Sequence, residues 1–360
     1  MVHLGTNTGY WNDYVSLYGI PHFVDLIKQA GFNHIRQEFL TTDQRSSWFK
    51  TLSVSAHQAG MTFGLQPSAR TYPWGVGGRS EMDRQMCRAI LNMSNEGTAW
   101  TNEVVAAVNY YEADTVDIMN EPVDWSSLIS WYSSSWFTTE YSNQSNQADY
   151  LNKYMAWVNK TVATVRVARP QCLIVIDPIP FWDSRDIMNN TKHPSYPHPT
   201  GSDIAYSLHQ YYYLYHAAGV PPPTDRPLWE QYYWSGDTRA KTELYNDMNT
   251  RLHGPIINAG CTPYMEELGT DFSNNNWQVF MKDIMDYNRN YGFNVHSFVP
   301  YGPYTSERAQ PCGLLLDDWE QLSAGGQFVK NYLAGIVPPT DINFSFSKAY
   351  QGGAVSLALT

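Results

Sequence analysis

The chain has 360 residues, 23 of them Lys or Arg and 34 Asp or Glu, for a formal charge of −11 without any basic run. That balance argues against nucleic acid and anionic membrane surfaces as partners, and no stretch of roughly 18 apolar residues could span a bilayer. Four scattered cysteines (Cys87, Cys172, Cys261, Cys312) lack CxxC or metal spacing, which leaves two disulfides and four buried thiols both open.

In chain order, Val2 to Thr6 reads as a short strand, followed by an aromatic loop with Tyr10 and Trp11. A helix opens at Pro21, carries Phe23, Leu26, Ile27 and Ala30 on one face and stops at Gly31. His34 to Arg36 is a second strand, Ser46 to Ala59 a second helix, and Thr62 to Leu65 a third strand before Gln66 and Pro67. A Gly-rich excursion around Trp74 leads to helical pieces at Glu81–Leu91 and Thr101–Tyr111. The fourth strand, from Thr115, runs into Asn120-Glu121-Pro122. Pro122 lacks an N–H and restricts Glu121 to extended conformations, so the strand ends on a rigidly held carboxylate.

Residues 123–146 are aperiodic and Ser-, Trp- and Asn-rich, the pattern of a functional loop. Gln147 to Arg169 is a long helix, Cys172 to Ile176 the purest apolar strand, and Asn189 to Gly201 a polar loop. Ile204 to Leu208 is a sixth strand ending at His209-Gln210-Tyr211; a Pro-rich aromatic insertion at Val220 to Trp234 precedes a helix at Thr238–Leu252. Thr262 to Met265 is the seventh strand, ending at Glu266-Glu267-Leu268-Gly269. A helix at Trp277–Tyr291, an eighth strand at Val295–Val299 and a closing helix at Gly326–Leu333 complete the alternation. Eight strands alternating with helices predict an α/β fold, a (β/α)8 TIM barrel over residues 1–336 as a single domain. Residues 337–360 read as a linker-like segment and a β-like tail, or the stub of a further module.

Sequons at Asn92, Asn143, Asn159, Asn190 and Asn343, with few lysines, lean toward a secreted, extracellular protein whose leader has been removed. Aromatics make up 15% of the chain against 16% charged residues, with 26 Tyr and 13 Trp. So much aromatic surface suits a cleft that stacks on flat sugar faces, the alternative being packing between helices and barrel.

Arg36, Asn120 with Glu121, His209 with Tyr211, and Glu267 all fall at strand ends, where barrels of this type keep their chemistry. Glu266 competes with Glu267, but only Glu267 is followed by an apolar residue and Gly, and adjacent strand residues point opposite ways. These motifs resemble glycoside hydrolase family 5, in the clan of retaining barrel glycosidases. Gly31-Phe32-Asn33-His34-Ile35-Arg36 is similar to its second-strand signature, Asn120-Glu121-Pro122 to its fourth-strand acid/base motif, His209-Gln210-Tyr211 to its sixth-strand motif and Glu267-Leu268-Gly269 to its nucleophile motif.

The resemblance implies Glu121 as acid/base and Glu267 as nucleophile, their carboxyls about 5–5.5 Å apart as retention requires. It implies that Arg36 orients the nucleophile and keeps it ionised, Asn120 holds the sugar 2-hydroxyl, Tyr211 donates to Glu267 and His209 supports the acid/base side. Two positions depart from the family pattern: Gln66 stands where a histidine is common, and Tyr301 where a tryptophan platform is common. Trp11, Trp74, Trp125, Trp182, Trp229 and Trp234 sit on loops after strands and are candidates to line the cleft. The expected activity is endo-β-1,4-glucanase on a β-linked polysaccharide. β-Mannanase, exo-acting β-glucosidase or β-mannosidase, and an inactive carbohydrate-binding barrel are the alternatives. No cofactor or metal is implied, since the ten histidines show no His-x-His motif, and the expected state is a monomer.

Overall fold

The computed structural model describes residues 2–4, 19–40, 46–68, 95–119, 144–177, 203–212, 221–222, 226–258, 262–272, 274–290 and 322–335. Strands β1 (Val2–Leu4), β2 (His34–Leu40), β3 (Thr62–Ser68), β4 (Thr115–Asp117), β5 (Leu173–Ile176), β6 (Ile204–Tyr212) and β7 (Thr262–Thr270) form one parallel sheet in sequential order. The helices between and after them are α1 (Ile20–Gln29), α2 (Ser47–Gln58), α3 (Asn95–Tyr111), α4 (Gln144–Ala168), α5 (Leu228–Ser235), α6 (Ala240–Asp247), α7 (His253–Asn258), α8 (Trp277–Asn290) and α9 (Ala324–Ala334).

Arg36 on β2 touches Glu267 on β7 at 3.0 Å. Five sheet positions separate those strands, a distance of roughly 24 Å if the sheet were flat. The sheet is therefore curled on itself, and the fold is a (β/α)8 barrel. The expected eighth strand and the tail at 337–360 lie outside the described residues.

Apolar periodicity explains the outer layer. On α1, Ile20, Phe23, Val24 and Ile27 are buried, and on α8 Phe280, Met281, Ile284 and Met285. Pro near the start of α1 supplies a helical φ, and Gly31 turns the chain out at φ 95°. The barrel interior is unusually polar. His34 lies in its lower layer, its Nδ1 2.6 Å from Thr62 Oγ1, and burial, aided by the charge of Arg36, holds its pKa well below the usual imidazole range. Gly64 makes room for it, since a Cβ there would come within 2.7 Å of His34 Nε2 and 2.2 Å of Thr115 Oγ1.

Several expectations change. The sixth and seventh strands run on to Tyr212 and Thr270, so His209, Tyr211 and Glu267 lie within strands, beyond a register shift at Leu208/His209. The helix expected at Thr238–Leu252 is α6 followed by a π-helical turn, Met248–Leu252, and α7. The aromatic insertion folds in part into α5, where Trp229 is only 2% exposed and stacks on Phe280 at 5.7 Å. Trp229 is thus a core residue. Trp234 packs half-buried against the same core, its carbonyl accepting from Asn275 Nδ2; for Trp229 the cue that misled was loop-like composition around a helix-length aromatic face. Cys172 is a buried free thiol, raised by burial to about 12; the other cysteines lie outside the described residues. The Asn159 sequon sits inside α4 with Thr161 fully buried and bonded to Thr101, so that triplet is not on a surface loop.

Candidate active site

The upper barrel gathers charge around one guanidinium. Arg36 is 1% exposed, and each of its three nitrogens faces a different carboxyl. Nη1 donates to Glu267 Oε1 at 3.0 Å, Nη2 to Asp117 Oδ2 at 3.3 Å, and Nε lies 2.8 Å from Glu266 Oε1. Burial opposes the charge on Arg36, but Glu266, Glu267 and Asp117 together outweigh it, and the guanidinium is held protonated with a raised pKa.

The sequence places these groups through strand geometry. Arg36 shares the inward face of β2 with His34, two residues back. Asp117 ends β4, and its Oδ1 accepts from the Met119 N–H at 2.9 Å, while the Trp100 indole donates to the Ile118 carbonyl at 3.0 Å. Those two bonds fix the chain as it enters Asn120 and Glu121, which lie outside the described residues.

Glu267 is 8% exposed and receives the largest set of partners. Tyr211 Oη donates to its Oε2 at 2.5 Å, and Gln66 Nε2 donates to Oε1 at 3.5 Å. His209 Nδ1 stands 3.5 Å from Oε2, while its Nε2 stands 3.8 Å from Asp177 Oδ1. His209 therefore bridges Glu267 and Asp177, beside the expected nucleophile. Strand alternation would put Glu266 and Glu267 on opposite faces. The irregularity between Leu208 and His209, where Leu208 pairs with Met265 but His209 with Glu267, skips Glu266 and lets both carboxyls reach Arg36.

Asp117 and Asp177 were not among the sequence candidates, and Glu266 entered only as the competitor set aside in favour of Glu267. A signal existed: each is an acid in or directly after an apolar strand, where it must be buried. Burial, together with the charges of Glu266 and Asp177, raises the Asp117 carboxyl well above its usual range despite Arg36 and the Met119 N–H. Burial likewise raises Glu266 to about 7, Arg36 and His209 pulling down and Asp177 pushing up. Ligand-type atoms of Asp177, His209 and Glu266 come within 4.8 Å of one another. Both imidazole nitrogens of His209 face carboxylates, Nδ1 toward Glu267 and Nε2 toward Asp177. Tyr301, Trp11, Trp74, Trp125 and Trp182 lie outside the described residues.

An endocellulase from Pyrococcus horikoshii, solved with cellotetraose, matches this structure with a TM-score of 0.59 over 92% of this chain and 91% of its own, at 14% identity. A broad-specificity family 5 endoglucanase from Clostridium cellulovorans matches at 0.58, over 91% and 92%, at 17% identity. A family 5 xyloglucan-specific endo-β-1,4-glucanase from a metagenomic library, solved with cellotriose, matches at 0.55 over 87% of both chains, at 16% identity. No protein-family model and no curated protein matches the sequence. At these identities the likeness is one of fold.

Proposed function

We propose that the protein is a retaining glycoside hydrolase of the family 5 kind that cleaves β-1,4-glucan internally. The observation that carries this reading is Glu267, a carboxylate in a barrel mouth held by a guanidinium on one oxygen and a phenol on the other. Such a group is kept ionised and aimed, which is what a nucleophile needs. Glu267 attacks the anomeric carbon as the bond to the leaving oxygen breaks, and Glu121 gives that oxygen its proton. Water, deprotonated by Glu121, then displaces Glu267 from the glycosyl-enzyme. A glucan substrate is supported by the cello-oligosaccharides in the similar barrels. A polymer of that size is met outside the cell, and the reading carries an extracellular location with it.

Product analysis on cellulose, glucomannan, xylan and short oligosaccharides tests the substrate. Glu267→Gln should lose activity by several orders of magnitude on every substrate. Glu121→Gln should keep the first step on a dinitrophenyl glycoside, accumulate the intermediate as a burst and be accelerated by azide. Azide rescue of Glu267→Gln with inversion would swap the two roles, and no hydrolysis of any substrate would favour a binding barrel.

A further inference from the structure

Glu266 has no task in double displacement, yet it takes the Nε side of Arg36 while Glu267 takes Nη1 and Asp117 Nη2. A guanidinium is planar, so fixing Nε and one terminal nitrogen fixes where the other must point. We propose that Glu266 is a positioning residue for Glu267, acting through Arg36: it anchors the guanidinium plane from behind so that Nη1 is presented to the nucleophile. The inference rests on the reading of Glu267 as nucleophile given above.

The surroundings define the state in which Glu266 does this. Facing or adjoining it among the described residues are Arg36 from β2, Asp117 from β4, Asp177 after β5, Ser207 and His209 from β6, and Tyr264 and Glu267 from β7. Four carboxyls thus share one guanidinium and one imidazole. Even with His209 charged, full ionisation would leave two negative charges in excess at residues no more than 8% exposed. A buried site sheds such an excess by binding protons. Glu266, raised to about 7, is a carrier, so below neutrality it faces Arg36 as a carboxylic acid, its Oε1 2.8 Å from Nε.

Two variants separate this role from a merely structural one. Glu266→Gln keeps the shape and an accepting oxygen; Glu266→Leu keeps only the volume. In Glu266→Leu, kcat on a cellulosic substrate should fall about 100-fold with KM within about threefold, and Glu266→Gln should recover to within about tenfold of wild type. The acid limb of kcat/KM should stay in place in Glu266→Gln, because Glu266 is already neutral there. An ionised Glu266 would instead give an acid limb about one unit lower in that variant, which overturns the proposal.

Two readouts need no substrate. The exchange-protected Nε–H resonance of Arg36 should persist in Glu266→Gln and vanish in Glu266→Leu. The component of the protonated-carboxyl infrared band that titrates near neutrality in wild type should be missing from Glu266→Gln, while any component from Asp117 remains. An Arg36 resonance unchanged in Glu266→Leu, or a stoichiometric divalent cation in the purified protein supplying the missing charge, would overturn the proposal. If wild type cleaves no glycan, the hydrolase reading fails, while the resonance and the band still decide whether Glu266 anchors Arg36.

Discussion

The ring of Tyr211 lies over Gly269, its partner on the neighbouring strand, and this is what lets the hydroxyl reach Glu267. Tyr211 pairs in register with Gly269, not with Glu267, and crosses diagonally to make its 2.5 Å bond. A Cβ on Gly269 would sit 3.2 Å from Tyr211 Cε1 and 3.3 Å from Cδ1. The Gly two residues after the nucleophile is therefore an opening for the phenol.

Gly269→Ala should displace the Tyr211 ring by a few tenths of an ångström, lengthen the bond to Glu267 and lower kcat several-fold. In a Tyr211→Phe background the same change should cost little, since the bond is already gone. A double-variant cycle on kcat/KM reads the coupling; purely additive losses would show that Gly269 acts elsewhere.

Tyr211→Phe removes the donor to Glu267 while keeping the ring. A carboxylate that loses a donor is easier to protonate, so the acid limb of kcat/KM should move to higher pH and kcat should fall about 10- to 100-fold. Thermal stability should change little, which separates this effect from unfolding.

Arg36 is the cation for Asp117, Glu266 and Glu267. Arg36→Ala leaves those carboxyls buried without it, a defect of about 3–5 kcal/mol. Urea unfolding should show that loss at neutral pH and a smaller one in mild acid, where the carboxyls take up protons. A loss independent of pH would point to packing of the side-chain stem instead.

Glu266 should make stability fall as pH rises. Its carboxyl titrates near 7 in the folded state against 4.5 in its ordinary state, so the folded chain binds the extra proton between those values. The contribution is fully present below about pH 4.5 and is lost as pH rises through about 7, up to roughly 3 kcal/mol. Unfolding midpoints measured across that range should decline less steeply in Glu266→Gln; parallel curves would remove Glu266 as the source.

Trp229→Ala should cost about 3–5 kcal/mol, because the indole fills the space among Tyr212, Tyr233 and Phe280. Oligosaccharide binding by the protein that remains folded should be unchanged. A selective loss of binding with stability intact would return Trp229 to the cleft.

Much of this molecule is determined by local sequence. Apolar periods of 3.6 and 2 residues, bounded by Pro21, Gly31, Gly60 and Pro170, order the strands and helices, because each element must bury one face. Arg36, His209, Tyr211 and Glu267 were recognisable from short motifs at strand ends. The tertiary structure decided the remainder. Glu266 stands with Glu267 because a shift between β6 and β7 cancels strand alternation, and a shift in pairing leaves no trace in either strand alone. Asp117 belongs to the site because the sheet curls, bringing β4 and β7 around Arg36, and Asp177 because the end of β5 stands beside His209 on β6. Trp229 is core because α5 turns its aromatic face onto α8, a contact between segments about 50 residues apart that no local pattern encodes.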